Sequence, residues 1–126
     1  MKSIFVQLGI VLLGVLLWGL CWNLGNTLIM STFSDAVRAD GSVDSVPLLL
    51  GLFGFSLLLS IGAGWLAGRL AGPSRSSTVF VLAVVLTTIG VFMQSAFWAL
   101  LPLWYHLLFL AGLIPATLVG GALGKR

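Results

Sequence analysis

Six polar side chains in this apolar sequence are spaced so that they could contact a ligand. Asn23, Asn26 and Thr27 fall on one arc of a helix in the first apolar segment. Gln94 and Ser95 share an arc in the third segment, and antiparallel pairing would place them level with His106 in the fourth. Amides and hydroxyls can hydrogen-bond a ligand, and an imidazole can also carry a proton. The sequence therefore predicts a possible ligand pocket formed by Asn23, Asn26, Thr27, Gln94, Ser95 and His106.

The same six residues also have a purely structural interpretation. Asn, Gln, Ser and Thr side chains often hydrogen-bond between membrane helices. No fully charged side chain joins the group, and this favours the structural role over a ligand site.

The acidic residues and the cysteine of this sequence are not spaced as a catalytic or metal site requires. The three acidic residues, Asp35, Asp40 and Asp44, all lie in one polar stretch, and DGSVD lacks the alternating acids of a calcium loop. Cys21 is the single cysteine and lies in an apolar run, so the sequence offers neither a disulfide nor a cysteine metal site. We therefore predict a protein that is not an enzyme and holds no cofactor or metal.

The composition is that of a membrane protein. Of the 126 residues, 60% are hydrophobic and 7% are charged, whereas a soluble domain has about 25% charged residues. The net charge is only +3 and the basic residues lie at segment ends, so we expect no nucleic-acid partner. The lipid bilayer is the first partner that the sequence predicts.

Breaks in the apolar sequence predict four membrane-spanning helices. Pro47 and Pro102 suit the first turn of a helix, and Gly72-Pro73 ends one. Pro115 inside the last segment predicts a kink. The predicted helices are 4–30, 47–71, 78–100 and 102–123, with a solvated loop at 31–46 and Ser77 as a cap. The fold class is all-α, a single integral membrane four-helix bundle whose third and fourth helices form a tight antiparallel hairpin.

The basic residues predict the orientation of the bundle. Four crossings would place Lys2, Arg69, Arg75, Lys125 and Arg126 on one side of the membrane. Arg38 and all three acids would lie on the other side. Because positive charge is retained in the cytoplasm, both termini are expected there, in a bacterial inner membrane.

Small residues recur at every fourth position in the second and fourth predicted helices. Such rows let two helix backbones approach closely in lipid. The predicted packing residues are Ser56, Ser60, Gly64, Gly68, Gly72, Gly112, Ala116, Gly120 and Gly124. The two helices run in the same direction, so their rows could meet within one chain or between two copies, and the sequence leaves both open.

These patterns favour a function based on helix association. The leading prediction is a non-enzymatic membrane protein that forms a homo-oligomer or joins another membrane protein as an accessory subunit. The alternative is a small transporter, channel or binder of a lipid or small ligand, which would use the polar pocket in the outer half of the bilayer.

Overall fold

The computed structural model describes residues 4–40, 42–43, 45–96 and 98–124. This part of the chain contains four α-helices, and the prediction of an all-α chain is confirmed. They are α1 (Ile4–Thr32), α2 (Val46–Ala71), α3 (Arg75–Ala96) and α4 (Leu103–Leu123). Short 3-10 turns occur at Ser34–Ala36, Gly72–Ser74 and Trp98–Leu100.

Three helical stretches are long and apolar enough to cross a membrane. They are Ile4–Thr32, Val46–Ala96 and Leu103–Leu123. The middle stretch has 51 residues, whereas one crossing needs about 20. Many large apolar side chains point away from the protein, among them Phe5 and Phe92, which are 82% and 73% exposed. A surface of this kind suits hydrocarbon rather than water, and the chain is a small helical membrane protein.

Contacts near the two ends show the relative directions of α2, α3 and α4. At one end a methyl group built on Gly121 of α4 would contact Val79 of α3, and Gly68 of α2 lies beside Gly121. At the other end Gln94 of α3 contacts His106 of α4. Helices α2 and α4 therefore run parallel, and α3 runs opposite to both. We call the end with the Gly72–Ser74 turn the turn end, and the end with residues 33–45 the loop end.

The start of α3 differs from the prediction. Gly72 has a φ of 57°, a conformation that glycine adopts readily, and it ends α2. The Gly72–Ser74 turn then leads directly into α3 at Arg75, three residues before the approximate predicted start at Thr78. Ser77 is not a cap, because its hydroxyl donates to the Ser74 carbonyl oxygen at 3.2 Å, as a serine within a helix does.

The end of α3 also differs from the prediction. The predicted helix reached residue 100, whereas α3 ends at Ala96 and a 3-10 turn follows at Trp98–Leu100. Pro102 lies just beyond, and proline disfavours helical backbone in the residue before it. The bounds of α1, α2 and α4 agree with the predictions within two residues. Pro115 lies inside α4, and its kink stays a prediction.

Part of the 31–46 loop is packed rather than solvated. Val37 and Val43 form an isolated antiparallel bridge, and the Val43 side chain is 1% exposed. The Val43 amide donates to the Leu100 carbonyl oxygen at 2.9 Å, which attaches the loop to the connection between α3 and α4. Asp44 lies outside the described residues.

Three of the residues that define the predicted orientation are likewise outside the described part of the chain. These are Lys2, Lys125 and Arg126. Arg69, at the end of α2, and Arg75, at the start of α3, lie at the turn end.

Candidate functional site

The glycine rows of α2 and α4 lie against each other within one chain. A methyl group built on Gly64 would overlap the carbonyl oxygen of Thr117, and one built on Gly120 would overlap that of Ile61. At Gly68 the corresponding distance to the carbonyl oxygen of Gly121 is 2.9 Å. Each of these glycines therefore contacts the backbone of the other helix, where any side chain would hold the helices apart.

The two rows interdigitate rather than meeting glycine to glycine. Gly64 and Gly68 face Thr117 and Gly121, which lie one position beyond the predicted row of α4. Gly120 likewise faces Ile61, which is one position beyond Ser60. Gly124 continues this pattern, because it faces the carbonyl oxygen of Trp65. The recurrence of small residues at every fourth position did not identify Thr117 or Gly121. It gives the spacing along α4 but not the rotation of α4 against α2.

Other members of the predicted packing rows have different surroundings. Gly112 approaches the side chains of Phe53 and Leu57, not the backbone of α2, and Ala116 is 6% exposed. Gly72 has no neighbour close to its missing side chain and forms the turn instead.

The two serines of the α2 row are hydrogen-bonded. Ser56 donates to the carbonyl oxygen of Phe53 at 2.6 Å, and Ser60 donates to that of Ser56 at 2.8 Å. The Ser60 hydroxyl also accepts a bond of 3.1 Å from Trp18 Nε1, which joins α2 to α1.

Two tryptophans of α1 lie in the protein interior. Trp18 and Trp22 are 4% and 6% exposed, and their rings stack with centroids 5.5 Å apart. Phe109 of α4 packs edge-on against both rings. Both rings therefore pack inside the protein rather than against lipid headgroups. An indole is apolar apart from one N–H, so it can be buried where that N–H finds an acceptor such as Ser60.

A cavity of about 350 Å³ lies at the loop end, beside this aromatic cluster. All four helices and the two loop-end connections contribute to its wall. The lining residues are Trp22, Asn26, Met30, Asp40, Leu52, Met93, Gln94, Leu100, Leu101 and Tyr105.

The structure places Asn26 and Gln94 in the cavity wall and the other predicted pocket residues outside it. Asn23 is exposed, and its amide nitrogen donates to the Gly19 carbonyl oxygen of its own helix at 2.7 Å. Thr27 is exposed as well. Ser95 is exposed and donates to the Phe92 carbonyl oxygen at 2.7 Å.

The spacing along α1 explains why Asn23 and Thr27 are not in the wall. The cavity takes Trp22, Asn26 and Met30, which lie four residues apart and share one face of α1. Asn23 and Thr27 follow Trp22 and Asn26 by one position, a rotation of about 100° around the helix axis. In the sequence, the large apolar residues Trp22 and Met30, four residues before and after Asn26, mark the face of α1 that lines the cavity.

His106 is fully buried behind the cavity and bonds to two oxygen atoms. Its Nδ1 contacts Gln94 Oε1, and its Nε2 lies 3.1 Å from the carbonyl oxygen of Trp98. The imidazole also stacks on the Trp98 ring, with centroids 4.4 Å apart and planes 7° from parallel. Gln94 is thus shared between the cavity and a buried histidine.

Asp40 is the charged residue at the cavity rim. Its Oδ1 accepts bonds from the Ser42 hydroxyl at 2.7 Å and from the Ser42 amide at 2.9 Å. These bonds, with a smaller contribution from the charge of Arg38, lower the pKa of Asp40 below its ordinary value. Its carboxylate is therefore ionised at neutral pH and holds the loop in its turn.

The cavity combines apolar walls with a few hydrogen-bonding groups. The amides of Asn26 and Gln94 and the hydroxyl of Tyr105 can each bond a polar head, while Leu52 and Met93 contact an apolar body. Neither Tyr105 nor Asp40 was among the six predicted pocket residues. Asp40 joins the site only because the loop folds back over the helix ends.

Comparison of the chain with protein-family models, with curated proteins and with solved structures finds no match.

Proposed function

We propose that this chain is a non-enzymatic integral membrane protein that binds a small amphipathic molecule in the loop-end cavity. The observation that carries the proposal is the cavity itself, about 350 Å³ in volume and lined by residues of all four helices. Ligand sites commonly have volumes of about 300–1,000 Å³ and combine apolar walls with a few polar groups.

The wall chemistry favours a neutral or cationic ligand over an anionic one. Among the described lining residues, Asp40 alone is charged, and its carboxylate would repel an anion at the rim. The amides of Asn26 and Gln94 can donate to and accept from one polar head. We infer a ligand with an apolar body and a single hydrogen-bonding or positively charged head.

The proposed orientation places the cavity on the extracytoplasmic side. Among the described residues, Arg69 and Arg75 lie at the turn end, while Arg38, Asp35 and Asp40 lie at the loop end. A cytoplasmic turn end agrees with the retention of positive charge in the cytoplasm. In this orientation a ligand reaches the cavity from outside the cell or from the outer leaflet.

Association through the glycine rows, the leading prediction from the sequence, stays a prediction. Within one chain these rows already contact each other, as the neighbours of Gly64 and Gly120 indicate. A second copy could reach them only if α2 and α4 separated. The same close contact leaves little room for a path toward the turn end, so the geometry favours binding over conduction.

The test compares two asparagines on the same helix. The wild-type protein and the variants Asn26→Leu and Asn23→Leu are transferred from cell membranes into lipid nanodiscs. Native mass spectrometry then records the small molecules that each protein retains. Asn26→Leu should lower retention about tenfold, because one hydrogen bond to the ligand is lost.

Asn23→Leu is the matched control, because Asn23 is exposed and bonds only its own helix. It should retain the same molecule as the wild type. A wild-type protein that retains no small molecule, or equal retention by both variants, would refute the proposal.

A further inference from the structure

We propose that the turn end carries a second site, which binds one anionic phospholipid. The site is a groove of about 220 Å³ between the start of α3 and the end of α4. None of its described lining residues belongs to the loop-end cavity, so this inference does not depend on the function proposed above.

The groove has a polar end and apolar walls. Arg75 and Ser76 supply a guanidinium and a hydroxyl, which both donate hydrogen bonds to phosphate oxygens. The rest of the groove is lined by Val79, Phe80, Leu118, Gly121 and Ala122. Phe80 and Leu118 are 57% and 41% exposed, so an acyl chain in the surrounding bilayer can lie against them. This arrangement matches a phosphate headgroup joined to an apolar chain.

The charge at the turn end lacks an acidic side chain to balance it. All three acids of the sequence, at positions 35, 40 and 44, fall between α1 and α2 in the sequence, and the described ones, Asp35 and Asp40, lie at the loop end. The positive charge of Arg69 interacts with the Trp65 ring, whose centroid lies 5.8 Å from the guanidinium carbon. Arg75 faces the groove instead. An anion bound there would supply the missing negative charge.

The position of Arg75 adds a second electrostatic reason for an anion. Arg75 is the first residue of α3, where the partial positive charge of the helix end disfavours a cation. A phosphate between the helix start and the guanidinium would be attracted by both. The aliphatic part of Arg75 also packs over Gly68, since a methyl group there would lie 3.3 Å from Cγ and Cδ. The guanidinium is thereby held near the groove before the lipid binds.

The apolar walls favour a membrane lipid over free phosphate. Inorganic phosphate would use Arg75 and Ser76 but would leave Phe80 and Leu118 without a contact. A phospholipid uses both parts of the groove, and its headgroup lies at the depth where arginine reaches the membrane surface.

The test uses nanodiscs that contain phosphatidylglycerol and phosphatidylcholine together. Native mass spectrometry measures the ratio of the two lipids retained on the full chain. The wild type should prefer phosphatidylglycerol by about fivefold, the effect expected of one arginine near a membrane surface. Arg75→Gln should reduce this preference to near equality, and added inorganic phosphate should leave it unchanged.

Two further variants separate this groove from a general effect of positive charge. Arg69→Gln removes an equal charge at the same end of the molecule and should keep the preference. Leu118→Trp, at a position that is 41% exposed, should fill the groove and lower the retention of both lipids. The proposal is overturned by a wild type without preference, by equal effects of Arg69→Gln and Arg75→Gln, by unchanged lipid retention in Leu118→Trp, or by displacement of the lipid with phosphate.

Discussion

Helices α2 and α4 contact each other differently at the two ends of the molecule. Toward the turn end, Gly64 and Gly120 each meet the backbone of the other helix. Toward the loop end, Gly112 meets the side chains of Phe53 and Leu57 instead. The contact thus changes from backbone to side chain along the helix pair, and the cavity lies at the end where large side chains fill the space between helices. In lipid, residue size controls the separation of helices, because apolar side chains gain no hydrophobic free energy by leaving hydrocarbon.

The two ends also differ in how they use polar groups. At the loop end, buried Gln94 and His106 bond to each other from different helices. Farther toward the turn end, the buried hydroxyl of Thr117 donates to the Leu113 carbonyl oxygen of its own helix at 2.7 Å. A polar bond between α3 and α4 therefore helps to hold the loop end, the Trp18–Ser60 bond joins α1 to α2 near the middle, and close backbone contact holds α2 against α4 in the turn-end half.

The largest effect is expected from separating the glycine-packed half. Gly64→Leu places a large side chain where even a methyl group overlaps the Thr117 backbone. It should lower the free energy of unfolding by about 3 kcal/mol or more. Unfolding by sodium dodecyl sulfate in mixed micelles, followed by circular dichroism, measures this change.

Gly62→Leu is the matched control for that experiment. Gly62 lies on the same helix, is exposed, and has nothing within 4 Å of its missing side chain. The midpoint of its unfolding by sodium dodecyl sulfate should remain close to that of the wild type. Equal midpoints for Gly62→Leu and Gly64→Leu would remove the distinction between the two halves.

A smaller effect is expected from the polar group at the loop end. His106→Phe keeps an aromatic ring on Trp98 but removes the bonds to Gln94 and to the Trp98 carbonyl oxygen. The loss of two bonds around buried groups should lower the free energy of unfolding by about 2 kcal/mol. Ser95→Ala, at an exposed position bonded within its own helix, should change it by less than about 0.5 kcal/mol.

A double mutant sharpens this second prediction. Gln94→Leu combined with His106→Phe should cost less than the sum of the single changes, because either change alone already breaks the shared bond. Strict additivity would show that the contact between the two helices contributes nothing.

The smallest effect concerns the loop over the cavity. The pKa of Asp40 is lowered in the folded loop, so its ionised form is the one that the loop stabilises. That contribution is complete above the ordinary aspartate pKa of 3.8 and is lost as the pH falls through the lower folded value. Hydrogen exchange at the Val43 amide, which bonds to the Leu100 carbonyl oxygen, should therefore lose protection only in this acidic range.

Two substitutions check the assignment of that acid response to Asp40. Asp40→Ala should weaken the protection of the Val43 amide from hydrogen exchange at neutral pH. In this variant the protection should no longer depend on acid pH. Asp35→Asn, in the preceding 3-10 turn, should leave both unchanged. An acid response that survives in Asp40→Ala would place its origin elsewhere.

The sequence by itself determined the helical elements of this protein. Hydropathy and the positions of Pro47, Gly72 and Pro102 are local properties, and they predicted the helices with errors mainly at the two ends of α3. The spacing of small residues also identified Gly64 and Gly120 as positions where another helix backbone can approach closely. These features depend on the backbone of one helix and need no knowledge of its neighbours.

Only the tertiary structure decided which faces meet. In a membrane, the side of a helix that packs on protein and the side that faces lipid are both apolar, so hydrophobicity does not distinguish them. For this reason the burial of Trp18 and Trp22, the packing of Val43 and the exposure of Asn23 and Thr27 could not be derived from periodicity. Each depends on how one helix is rotated against another or on a loop that returns to a distant part of the chain.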